Sequence, residues 1–183
     1  MQNDLEKILF HEQTILSRLD VLAQEITAEY RDKELTVIAV LNGSIIFAAD
    51  LLRRIPLALK LDCVSVASYH GGTASTGQVT FDQISVPDVS GRHVLIVDDI
   101  LDSGRTLFAI QEKLFAEARP LSAKVCVLLR KIKERAKPAE ADFVGFDIAD
   151  EFVVGYGLDY QENYRNLPLI GVLRAELVTN SGR

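Results

Sequence analysis

Soft-metal chemistry and disulfide frameworks have little to draw on here, because the chain of 183 residues carries only two cysteines and three histidines. None of His11, His70 and His93 belongs to a Cys/His cluster, so a zinc site lacks its usual ligand spacing. Cys63 and Cys126 each sit in an apolar, strand-like run and read as reduced, buried thiols with no catalytic part. No apolar run is long enough to cross a bilayer, and the first residues are polar and acidic where a secretory leader is basic and then apolar. The expected location is therefore cytoplasmic, with no membrane partner. Positive charge is also short: 20 Lys and Arg against 26 Asp and Glu leave a formal net charge of −6, which disfavours a broad nucleic-acid face. No repeat, low-complexity tract or linker divides the chain, so one domain spanning 1–183 is expected.

What is present is ample apolar material, 48% of residues, arranged with alternating periods. From His11 to Tyr30, Ile15, Leu19, Leu22 and Ile26 recur at steps of four, three and four, the stripe of an amphipathic helix. Thr36 to Leu41 reads as a buried strand, and Ser44 to Ile55 as a helix ended by Pro56. Ala58 to Ser68 is strand again, and alternation of Leu59, Leu61 and Cys63 with Lys60 and Asp62 gives its first half one wet face. Thr106 to Ala118 suits a crossover helix and Val125 to Leu129 the next strand. Short strands at Phe143 to Phe146, Phe152 to Val154 and Leu169 to Leu173 complete the sheet or form a small hood beside it. Such alternation predicts an α/β fold with a central, mainly parallel sheet flanked by helices.

The most informative stretch runs from Val94 to Thr106. Apolar Val94-Leu95-Ile96-Val97 suits a strand buried on both faces, so Asp98 and Asp99 fall at its end, the usual ligand crevice of an open α/β sheet. Ser103, Gly104, Arg105 and Thr106 then open a helix whose unsatisfied amides can wrap a phosphate. Asp102 between them is either an N-cap or a chemical group. A second strand-to-helix turn, Leu41-Asn42-Gly43-Ser44, places a glycine where amides can approach another phosphate. Ser68-Tyr69, leading into a run of glycines and hydroxyls, has the composition of a lid. Gly72 and Gly77 mimic the spacing of a nucleoside triphosphatase phosphate loop, but Gln78 and Val79 stand where Lys and Ser or Thr are needed. The basic run Arg130 to Arg135 reads as a solvated loop, apart from Lys131.

The Val94–Thr106 run resembles the signature of the phosphoribosyltransferases that use phosphoribosyl pyrophosphate, and the likeness extends over residues 8–177. It implies the type I phosphoribosyltransferase fold with a hood. It also implies that Asp98 and Asp99 take ribose hydroxyls and Mg²⁺, and that Asp102 to Thr106 hold the 5′-phosphate. Asn42, Gly43, Ser68, Tyr69 and Arg165 would bind pyrophosphate, although the family often has Lys or Arg where Asn42 stands, and its matching peptide can be cis. The segment Glu151 to Arg165 is similar to the hypoxanthine-guanine branch in particular. By that likeness Phe152 stacks on the purine, the Val153 backbone reads its edge, and Asp159 holds magnesium. Lys131 would donate to the exocyclic oxygen, and Asp102 would exchange a proton at N7.

The implied activity is purine salvage: hypoxanthine or guanine plus phosphoribosyl pyrophosphate to IMP or GMP and pyrophosphate. The implied partners are those small molecules and further copies of the chain, as a homodimer or homotetramer, with the first helix and the C-terminal strand as contact candidates. Two other classes compete with it. A regulator of the same fold binding RNA and nucleotides wants a basic face, and a phospho-acceptor signalling domain wants its paired acids early in the chain; neither is met.

Overall fold

The computed structural model describes residues 1–65 and 87–179. In chain order these form β1 (Leu5–His11), α1 (Glu12–Glu29), β2 (Leu35–Leu41), α2 (Ile45–Leu52) and β3 (Leu59–Ser65). They continue as β4 (His93–Leu101), α3 (Arg105–Glu117), β5 (Ser122–Lys131), β6 (Phe143–Ile148), β7 (Val153–Val154), β8 (Leu169–Leu173) and α4 (Ala175–Thr179). Five strands build a parallel sheet in the order β3-β2-β4-β5-β6.

Period-two alternation divides the apolar runs between two layers. Val37 and Ala39 of β2 with Leu95 and Val97 of β4 join the core formed by α1 and α2, whereas Ile38, Val40, Val94 and Ile96 join Leu107, Ile110 and Leu114 of α3. Strands covered on both faces need apolar residues at every position, which is why β2 and the first half of β4 show no polar stripe. Each fully buried Leu or Ile in these layers contributes about 1.5–3 kcal/mol relative to exposure. The helical stripe of α1 behaves as its spacing predicts: Ile15, Leu19, Leu22 and Ile26 are all completely buried.

A second sheet, antiparallel and in the order β1-β8-β7, forms the hood. The sequence left open whether the short C-terminal strands extend the main sheet; β6 does, and β7 and β8 do not. β1 was not anticipated. Its burial follows no alternation, and it is held as a strand by β8 in a register broken twice by irregularities.

Two expectations are corrected. β3 is an edge strand, paired among the described residues with β2 alone, so most of it is exposed on both faces; Leu61 and Cys63 are exposed rather than buried. Cys126 is buried as expected, and burial pushes its thiol pKa up. The apolar stripe of α1 and all of β8 are buried inside the chain's own core, so of the contact candidates for other subunits the outer face of α1, with Val21 exposed, is what is left.

Candidate active site

Parallel pairing sets the carboxyl ends of β2 and β4 side by side, and a cavity of about 480 Å³ opens there. Asn42 and Gly43 line it from the end of β2, Asp98 and Asp99 from the end of β4. The turn into α3 adds Asp102, Ser103, Gly104 and Thr106; the segment after β7 adds Asp159 and Arg165. Arg105 does not line the cavity: its side chain is exposed, so only its backbone remains available to a phosphate there. Ser68 and Tyr69 lie outside the described residues.

The Leu41–Asn42 peptide is cis, the form that the resemblance allowed. Gly43 follows, and a Cβ there would sit 1.8 Å from Asp99 Oδ2, so no other residue lets the backbone come this close to the acid. On the other side stands Gly157, φ +103°, where a Cβ would sit 2.1 Å from the Gly43 carbonyl oxygen. The turn after β2 is thus gripped between the acid pair and the hood segment. Gly157 escaped the sequence reading. Its only signal was the pair of glycines bracketing Tyr156 inside a motif scanned for charged and aromatic groups.

Asp98 is 7% exposed and accepts the Asp99 amide at 3.0 Å. Burial first, and the Asp99 carboxylate second, push its carboxyl well above the ordinary range. Burial also raises Asp99, against hydrogen bonds and the Arg165 guanidinium, which act the other way. Among the described residues neither acid forms an ion pair. Two buried carboxyls without a cation suit donors brought by a ligand: sugar hydroxyls, or a hard cation. Among the described residues no three acids, histidines or cysteines converge as a ready cage. Magnesium tolerates this, since it keeps several waters and uses one or two carboxylates together with substrate phosphates. Asp98, Asp99 and Asp159 each line the cavity with the oxygen ligands it prefers, without the three converging on one point.

The turn into α3 starts at Gly104, φ +76°, with the Phe108 amide returning to its carbonyl at 3.0 Å. A Cβ there would meet the Lys137 carbonyl at 2.7 Å, so the residues after β5 pack closely over this turn. Gly104, not Asp102, is the N-cap, and the capping alternative for Asp102 is withdrawn. Its carboxylate is instead turned to two ammonium groups: Lys131 at 3.3 Å and Lys133.

Asp159 and Arg165 reach the cavity through an unusual backbone. Gly155, Tyr156, Gly157, Gln161, Glu162 and Tyr164 all have positive φ, a region that side chains seldom adopt. Tyrosine hydroxyls tie the segment down, Tyr156 to Asp50 at 2.6 Å and Tyr164 to Asp4 at 3.1 Å. Arg165 pairs with Asp159 at 2.9 Å and donates to the Gly157 carbonyl at 2.7 Å, while the second Asp159 oxygen accepts the Glu162 amide at 2.8 Å. Glu162 itself lines the cavity, which the sequence reading did not foresee.

Lys131, Phe152 and Val153 lie beyond the cavity lining, and Lys131 is joined to it through Asp102. Lys131 is 8% exposed at the last position of β5 and pairs with Asp150 at 2.9 Å as well as with Asp102. Phe152 is 42% exposed, with one edge against Tyr160 at 5.4 Å between ring centroids, so it is not a core residue. Val153 is buried in β7 opposite Val172.

Comparison with known proteins accords with this geometry. The family described as "Phosphoribosyl transferase domain" matches residues 7–161. A parallel sheet with paired acids and a phosphate turn at its carboxyl edge is the architecture of that class. A hypoxanthine-guanine phosphoribosyltransferase of Streptococcus pneumoniae is 43% identical over 180 residues, 98% of this chain and 99% of that protein. A crystal structure of a hypoxanthine phosphoribosyltransferase from Staphylococcus aureus aligns with a TM-score of 0.91 at 43% identity, covering 98% and 97% of the two chains. A variant enzyme from Trypanosoma cruzi, solved as a ternary substrates complex, aligns at 0.86 and 39% identity, covering 96% and 99%. The chain belongs to the phosphoribosyltransferase family, in its hypoxanthine-guanine branch.

Proposed function

We propose that this chain transfers the phosphoribosyl group of 5-phosphoribosyl 1-pyrophosphate to N9 of hypoxanthine or guanine, yielding IMP or GMP and pyrophosphate. The observation that carries the proposal is one cavity in which a buried, unpaired acid couple faces both a helix N-terminus and Arg165. Ribose hydroxyls donate to Asp98 and Asp99. The 5′-phosphate accepts from the amides of residues 103 to 106, where the α3 dipole favours negative charge. Asn42, the Gly43 amide and Arg165 take the pyrophosphate, the guanidinium by its planar fork.

At the other end Lys131 donates to the exocyclic oxygen of the base, Phe152 stacks on its face, and the Val153 backbone meets its edge. An amino group at that position would put donor against donor and leave a buried ammonium unmatched, which selects strongly for 6-oxopurines. In the transfer, the base gives its N7 proton to the Asp102 carboxylate and N9 bonds to ribose C1′. The bond from C1′ to the pyrophosphate oxygen breaks, and its electron pair leaves with pyrophosphate toward Arg165. Asp98, Asp99 or Asp159 would hold magnesium, which would supply charge neutralisation for the departing diphosphate. The whole chain is taken as one domain, cytoplasmic and assembled as a homodimer or homotetramer. Among its described helices none is long and apolar enough to cross a membrane.

A spectrophotometric assay with phosphoribosyl pyrophosphate, magnesium and each of hypoxanthine, guanine, xanthine, adenine and uracil tests this. Turnover is expected with the first two, little with adenine, and none without magnesium. Absence of IMP formation from hypoxanthine overturns the reading.

A further inference from the structure

Lys131 is buried at the base end, yet it does not meet its acids alone. Lys133 touches the same two carboxylates, closing a four-membered ring of alternating charge: Lys131, Asp102, Lys133 and Asp150. Sheet register makes the ring. Lys131 stands opposite Ile148 in the parallel β5–β6 ladder, and the pairing runs one bond further, from the Ile132 amide to the Ile148 carbonyl at 2.9 Å. Two residues on along each chain come Lys133 and Asp150, on the same side as Lys131 by the period of two, while Ile132 points outward at 62% exposure. Lys131 Nζ lies 3.3 Å from Asp102 Oδ2 and 2.9 Å from Asp150 Oδ1. Lys133 Nζ lies 3.0 Å from that same Asp150 oxygen and against the other oxygen of Asp102.

The two oxygens of Asp102 therefore face different ammonium groups as ion pairs, and a carboxylate set between two cations has a preferred orientation. Lys131 donates one hydrogen bond to Asp150 and meets Asp102 as an ion pair, so its ammonium keeps donor capacity to offer outward. Its direction is set by where Asp102 and Asp150 sit. With Lys133 removed, one ammonium would face two carboxylates, Oδ1 of Asp102 would turn to solvent, and the outward donor of Lys131 would lose its aim.

Resting on the oxopurine reading above, we propose that Lys133, through Asp150, is a positioning residue for base recognition and proton transfer. It touches neither the base nor the donor; it fixes the Asp102 carboxylate and the Lys131 ammonium that do.

The test is steady-state kinetics on the full chain and on Lys133→Met and Lys133→Arg, with thermal unfolding as a check of folding. Because misplacing a reacting group by about 1 Å costs on the order of a hundredfold, Lys133→Met should lower kcat with hypoxanthine by about 10- to 100-fold. The KM for phosphoribosyl pyrophosphate should stay unchanged, and Lys133→Arg, which offers donors to both carboxylates, should recover most of the rate. Should Lys133→Met not fold, Lys133→Gln at this partly exposed site takes its place. An unchanged kcat in the folded variant, or a loss shared with the donor KM and not recovered by Arg, overturns the positioning role while leaving the function standing. An unaltered chain without hypoxanthine turnover overturns the functional reading itself, and this inference with it.

Discussion

The proposed site has an end for ribose and phosphate and an end for the base, and the two are built in opposite ways. The ribose-phosphate end comes mainly from one continuous segment, Asp98 to Thr106, set between two buried strands and held against Gly43, which Gly157 backs in turn. The base end gathers single residues from the ends of β5 and β6, from the start of β7 and from the turn before α3, and much of it is exposed. At the first end Asp98 and Asp99 form no ion pair among the described residues; at the second Asp102 and Asp150 each face two ammonium groups. The difference teaches that the donor end depends on closeness of backbone, whereas the base end depends on charge balance among side chains.

The sharpest way to separate the ends is Asp102→Asn, since Asp102 lines the phosphate cavity and pairs with the base-end lysines. Loss of a proton acceptor costs about 10²- to 10⁴-fold in kcat, with donor affinity little altered, as measured by nucleotide formation rate and donor titration. An unchanged rate removes Asp102 from proton transfer and makes the base end a binding device alone.

A smaller effect is expected from Gly43→Ala. With a Cβ 1.8 Å from Asp99 Oδ2, either the Asp99 carboxylate or the turn must shift, so the donor KM should rise by about 10- to 100-fold while base selectivity stays as it was. A change in the hypoxanthine-to-adenine ratio would show that the ends are not separable.

The smallest effect is on stability. Asp98 has a carboxyl pKa raised in the fold above its unfolded value, so the native state holds the proton more tightly. The ionised form therefore carries a cost that is absent below the ordinary pKa near 3.8 and grows as pH rises through the folded value. Asp98→Asn removes it. In the ligand-free protein Tm should rise at neutral pH, and the gain should vanish near pH 4. A gain independent of pH would assign it to packing instead.

Much of this was legible beforehand where neighbours in sequence are neighbours in space. The apolar runs of β2 and β4, the stripe of α1 and the turn at Ser103-Gly104 declare themselves because burial on both faces, helical period and helix entry are local demands. Cys63 was misjudged because an apolar strand reads alike at the centre or the edge of a sheet, and only strand order put β3 outside. β1 was missed because β8, more than 150 residues away, makes it a strand. Lys133 was passed over as part of a basic loop, since nothing local says that Asp150 will stand beside it.

Order along the chain thus determined which chemical groups occur together after β4: two acids, a third, and a phosphate turn. Tertiary structure alone decided that Gly157 closes on Gly43 and that Lys133 and Lys131 share Asp102 and Asp150. The reason is physical. A turn or a buried strand is specified by the residues within it, whereas a contact between distant segments exists only once strand order and register have brought them to the same place.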